Sequence, residues 1–108
     1  MKFKVVITED NGNKRVIGEY DKENKIFITH RKGEKHLFRK YNAWAVDKKV
    51  VEMLQKEGNP LIVIIDVKNK VRYEISTKDF IKYAHEIQFH EHRKQLYVPK
   101  EKFRRVSI

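Results

Sequence analysis

Apolar and polar residues alternate with a period of two over roughly the first 40 positions and switch to a period near 3.6 at about residue 47, which predicts strands first and a helix after. FKVVIT (3–8) sets Phe3, Val5 and Ile7 on one face of a half-buried strand. EDNGN (9–13) predicts a tight hairpin turn in which Asn11 and Gly12 supply positive φ angles, with KRVIGEY (14–20) as the return strand. DKEN (21–24) turns into a third strand, KIFITH (25–30), and RKGEK (31–35), turning at Gly33, leads to a fourth, HLFRKY (36–41). Turns this frequent predict an antiparallel meander.

In DKKVVEMLQKEG the residues Val46, Val50, Met53, Leu54 and the stem of Glu57 fall on one helical stripe, and Asp47 suits the N-cap while Gly58 suits the residue past the end. A main helix over about 48–57 follows. LIVIIDV, from residue 61, is apolar on both faces and is expected inside a sheet under a packed helix. After a turn at Asn69-Lys70, VRYEIS points Val71, Tyr73 and Ile75 inward and Arg72 and Glu74 outward. Thr77 is read as the cap of a short helix over about 77–84 with Phe80, Ile81 and Ala84 buried. HEIQFHEH and QLYVP close the chain as strands, and PKEKFRRV forms a final turn starting at Pro99. The fold class is therefore α+β: a mostly antiparallel sheet with one main helix and one short helix, in a single domain over 1–108.

Composition narrows the partner. Eighteen lysines and ten glutamates beside three glutamines resemble the usage of proteins from hot environments. With no cysteine, disulfides and thiolate metal sites are excluded and a reducing, cytoplasmic setting is expected. LIVII is too short to span a bilayer, so no membrane partner is expected. The net charge is +10 over 108 residues and is unevenly placed. Residues 1–40 hold 11 Lys/Arg against 6 Asp/Glu, residues 41–80 hold 7 against 6, and residues 81–108 hold 7 against 3. Basic ends brought together would form one face able to displace counterions from a phosphate backbone.

Four stretches invite a chemical reading. HEIQFHEHRK (85–94) carries three histidines, and in a strand His90 and His92 share a face about 7 Å apart, which is half of a metal site. His85 falls on the opposite face, so a third ligand would have to come from His30 or His36; the plainer reading is the wet side of a strand. KHLFRKYNAW (35–44) interleaves Arg39 and Lys40 with Phe38, Tyr41 and Trp44, as single-strand binding surfaces do, with Tyr41 the ring available for stacking. In the tail RKQLYVPKEKFRRVSI, Arg93, Lys94, Lys100, Lys102, Arg104 and Arg105 outnumber the single acid Glu101, while Leu96, Tyr97, Val98 and Phe103 supply apolar surface to dock it.

The fourth stretch runs through residues 47–92. Asp66 ends the buried strand, Glu74 lies eight residues on, and the order is helix, strand, strand, helix, strand. This partly resembles the core of the PD-(D/E)XK nucleases. The resemblance implies that Asp66 and Glu74 hold Mg²⁺; in a second alignment Asp66-Val67-Lys68 supplies the triplet, with Lys68 as the lysine assisting a nucleophilic water, but then no earlier acid is correctly placed, Asp47 being the helix cap. The sequence departs from that pattern in having Ser76 where the triplet after Glu74 calls for lysine, and it lacks the proline before Asp66 and the preceding strand. Walker, dinucleotide-binding, nucleophile-elbow and His-Glu-x-x-His motifs are all missing, so no cofactor is expected. The leading expectation is a small basic nucleic-acid-binding protein that contacts the phosphate backbone with low sequence specificity. The alternatives are a divalent-metal-dependent nuclease and a non-catalytic protein-interaction module, with pairing of strand edges into a homodimer as a further option.

Overall fold

The structure is a computed structural model that describes residues 1–9, 11–32, 39–90 and 93–108. Nine strands and two helices are described: β1 (Lys2–Thr8), β2 (Lys14–Asp21), β3 (Ile26–Arg31), β4 (Ala43–Asp47), α1 (Lys48–Lys56), β5 (Leu61–Asp66), β6 (Val71–Ser76), α2 (Thr77–Tyr83), β7 (His85–His90), β8 (Arg93–Pro99) and β9 (Arg104–Ser107). The fold is α+β and mostly antiparallel. Its strands form two sheets where the periodicity suggested one. A six-stranded sheet runs β1-β2-β3-β5-β6-β9, and a three-stranded sheet runs β4-β8-β7.

β5 sits inside the larger sheet, as its two-sided apolar pattern requires, but it runs parallel to β3 and antiparallel to β6. Residues at equal register share a face, so Phe27, Ile62 and Ile75 lie together on the core side, followed by Thr29, Ile64 and Tyr73 and then by Arg31, Asp66 and Val71. A connected core joins this face to Trp44, Val46 and Val98 of the smaller sheet, to Val50, Val51 and Leu54 of α1 and to Phe80 of α2. α1 packs on β4 and β8, and α2 on β6 and β8.

Local chemistry fixes most boundaries. Asp47 Oδ1 accepts from the Lys49 amide (2.9 Å) and starts α1, and Gly58 takes φ +92 just past its end. Val46, which continues the helical stripe on paper, belongs instead to β4, because Ala43–Asp47 pairs with Gln95–Pro99. Of the expected strand 36–41, residues 36–38 lie outside the described residues, while Arg39 to Asn42 form a turn closed by the Asn42 amide on the Arg39 carbonyl (3.1 Å). The cap of α2 is Ser76, whose Oγ accepts from the Asp79 amide (3.1 Å). Thr77, read as that cap, is buried and donates its hydroxyl to the Pro60 carbonyl (2.6 Å), and Ile81 is exposed where burial was expected. Of the two residues expected to take positive φ in the turn after β1, Gly12 does (+85) and Asn11 does not.

Two features shape the ends of the sheets. Gly18 is demanded by close approach: a Cβ there would lie 2.6 Å from the Ile28 carbonyl oxygen and 2.9 Å from the Phe27 ring. Near this point the β1–β2 pairing shifts register between Val5 and Val6, and the distal hairpin closes over the ends of β4 and β8. At the other end of the chain, a 3-10 turn (Lys100–Lys102) follows Pro99 and delivers Phe103 into the core, after which β9 pairs with β6. The tail is thus docked as a strand that periodicity did not mark.

Candidate functional site

The basic ends do not meet along the larger sheet. β1 and β9 are its opposite edges, five strand spacings or roughly 24 Å apart. The cations singled out from the sequence divide accordingly. The Arg39–Asn42 turn lies against the C-terminal 3-10 turn, joined by a hydrogen bond from the Lys100 amide to the Asn42 carbonyl (2.9 Å). This brings Arg39, Lys40 and Tyr41 beside Lys100 and Lys102. Arg93 and Lys94 sit at the far end of β8, roughly 20 Å from Pro99 by strand rise. Arg93 is buried on Asp47 (3.3 Å), and Lys94 lies 3.6 Å from Glu86. Arg104 and Arg105 alternate across β9, so Arg105 falls on the Tyr73 side and Arg104 on the Glu74 side.

Around the C-terminal turn the cations rest on rings. Lys100 Nζ lies 4.6 Å from the Trp44 ring centroid and 5.9 Å from that of Tyr73, which also carries the Arg105 guanidinium at 5.4 Å. Lys102 and Lys82 approach Tyr83 at 4.8 Å and 5.4 Å. Each exposed contact of this kind contributes on the order of 0.5–1 kcal/mol, enough to orient the cation without neutralising it. Beside them Tyr41 stacks on Tyr97 (4.8 Å, 18°), and Tyr97 on His85 (5.1 Å, 24°), with Lys40 Nζ 4.9 Å from the Tyr41 ring. Among the described residues Arg39, Lys40, Lys82, Lys102 and Arg105 make no ion pair.

The nuclease-like residues are not brought together. Glu74 is opposite Val63 in register and Asp66 opposite Val71, so the two carboxylates project from opposite faces of the sheet and cannot share a cation. Asp66 is buried and accepts from the Asn69 amide (3.1 Å) and side-chain Nδ2 (2.8 Å), which makes it the organiser of the β5–β6 turn. Glu74 is paired with Arg72 (2.6 Å), and Lys68 is exposed in the turn. Of the histidine pair, His90 ends β7 and His92 lies outside the described residues; no cluster able to hold a metal ion occurs among the described residues.

Sequence reasoning missed Tyr97, His85, Lys82 and Tyr83 as members of the cationic surface. It also missed Arg31, which continues the inward parity of Phe27 and Thr29 to the end of β3. That parity was the available signal. Comparisons of the chain with protein-family models, curated proteins and solved structures find no match. Among the described residues no helix is long and apolar enough to cross a membrane.

Proposed function

We propose that the protein binds nucleic acid, with single strands as the favoured form, through the surface formed by the Arg39–Asn42 turn, the Lys100–Lys102 turn and Arg105. The observation that carries the reading is the interleaving of cations with aromatic rings around the Lys100–Asn42 hydrogen bond. Cations held on ring faces engage phosphates, and the Tyr41–Tyr97–His85 stack supplies aromatic surface for an unpaired base. Phosphate contacts of this kind carry no sequence information, so specificity is low. Arg104, Arg93 and Lys94 contribute long-range field and no direct contact.

The test is fluorescence anisotropy of a labelled single-stranded oligonucleotide titrated with protein at several salt concentrations. Binding at micromolar protein in low salt is expected, weakening linearly on logarithmic axes. Replacing Lys100, Lys102 and Arg105 together by glutamine lowers affinity at least tenfold and flattens the slope by about 2, from roughly 0.7 per phosphate contact on a single strand. Undetectable binding in low salt, or affinity indifferent to salt, rejects the reading.

A further inference from the structure

Three of the seven arginines, Arg15, Arg31 and Arg93, line a cavity of about 220 Å³ between the distal β1–β2 hairpin, the end of β3 and the facing ends of β4 and β8. Asp47 is the single acid among its described lining residues, and its carboxylate is already committed. Asp47 Oδ1 caps α1, and Oδ2 accepts from Arg93 Nε (3.3 Å) and Gln95 Nε2 (3.5 Å), all three side chains being buried. Arg31 is half-buried on the same face of the sheet, where its Nε donates to Thr29 Oγ1 (3.3 Å). Its register neighbour Asp66 is turned to Asn69, and among the described residues Arg31 makes no ion pair. Two guanidiniums, Arg31 and Arg15, therefore share one cavity with no carboxylate assigned to them.

We propose that this cavity is a binding site for a phosphate-class oxyanion, held by the terminal N–H fork of Arg31 and by Arg15 at the mouth. A half-buried guanidinium beside a second one is an unfavourable arrangement that an anion relieves, and the planar fork matches a tetrahedral oxyanion in two parallel hydrogen bonds. Burial first, and Arg15 second, push the Arg31 guanidinium down to about 10, the direction expected of a cation lacking its counter-charge. The volume suits one such anion with a few waters, being roughly seven times the 30 Å³ share of a water molecule. Access is from the side of Arg15, Val16 and His30, which are exposed. The site lies at the opposite end of β8 from the nucleic-acid surface and does not depend on it.

The ligand's source is either a free phosphate or the terminal phosphate of a nucleic acid, and one experiment separates them. The full chain is titrated with inorganic phosphate in a calorimeter and its thermal unfolding is followed in phosphate and in chloride at equal ionic strength. Saturable binding and a phosphate-specific rise in Tm are expected. Arg31→Met weakens binding at least tenfold and abolishes the rise, whereas replacing Lys100, Lys102 and Arg105 leaves both intact. Competition by a 5′-phosphorylated dinucleotide, but not by its 5′-hydroxyl counterpart, assigns the site to a strand end; failure of both to compete assigns it to free phosphate. A Tm rise no larger in phosphate than in chloride, or one of equal size in Arg31→Met, overturns the proposal. Arg15→Gln, at an exposed position, gives the same readout if Arg31→Met does not fold, and unchanged phosphate affinity in it also overturns the proposal.

Discussion

The two cationic regions handle positive charge in opposite ways. Around Lys100 and Arg105 the cations lie on the faces of Trp44 and Tyr73 and keep their heads near water, so they cost the fold little. Around Arg31 and Arg93 guanidiniums are drawn between strands, and the fold depends on Asp47 to compensate one of them. The same residue type thus serves as a surface reagent in one place and as a structural liability in the other. What separates them is desolvation, which rises steeply once a charge leaves bulk water.

The sharpest way to break this contrast is Asp47→Ala. It removes the α1 cap and the buried carboxylate that accepts from Arg93 Nε and Gln95 Nε2, and a loss of about 3–5 kcal/mol is expected in urea unfolding. A loss under about 1 kcal/mol means that Arg93 does not depend on Asp47 for its compensation, and the contrast disappears. Arg31→Met works in the other direction. In chloride buffer it exchanges an uncompensated cation for an apolar stem and is expected to stabilise the protein by about 1–3 kcal/mol. The sign follows from the depressed basicity of Arg31. The group is charged in both folded and unfolded states, so the cost of burying it beside Arg15 is present across the neutral range. Destabilisation by Arg31→Met in the absence of phosphate contradicts that account.

The elements most legible in the sequence are those whose signals are local. α1 was readable because Asp47, the Val50/Leu54 spacing and Gly58 act within one segment, and the β5–β6 hairpin because Asp66 and Asn69 close their own turn. The second sheet was not readable, since β4 is recognised only through its pairing with residues some fifty positions away in β8. For the same reason the Tyr41–Tyr97–His85 stack and the Asp47–Arg93 pair left no trace in spacing: each joins side chains that are distant in the chain. The nuclease-like pattern failed on a point that only register decides. A separation of eight residues across a hairpin whose turn begins at Asp66 puts Glu74 three rungs from that turn and on the other face. The tail's apolar residues did predict docking, but β9 is only four residues long and its alternation, Arg-Arg-Val-Ser, carries no strand signal.

The smallest expected effect belongs to an ion pair of the ordinary exposed kind, which calibrates the other two regions. Glu86 on β7 meets Lys48 at the start of α1 and, less closely, Lys94 on β8, with all three side chains substantially exposed. The hydrogen bond from Lys48 holds the Glu86 carboxyl below the usual carboxylate range, aided by Lys94, and Glu86 in turn raises the Lys48 ammonium. A depressed carboxyl stabilises the fold above its unfolded value, near pH 4.3 for glutamate, and that contribution is lost as pH falls through the lower folded value. Exposure limits it, as surface pairs are strongly screened by water and salt. An NMR titration of the Glu86 side chain is therefore expected to give a midpoint below the ordinary glutamate value, returning toward it in Lys48→Met and in high salt, with little change in Tm at neutral pH. A Lys48→Met variant as destabilised at neutral pH as Asp47→Ala would show that burial does not distinguish these pairs, and the contrast between the two cationic regions would lose its physical basis.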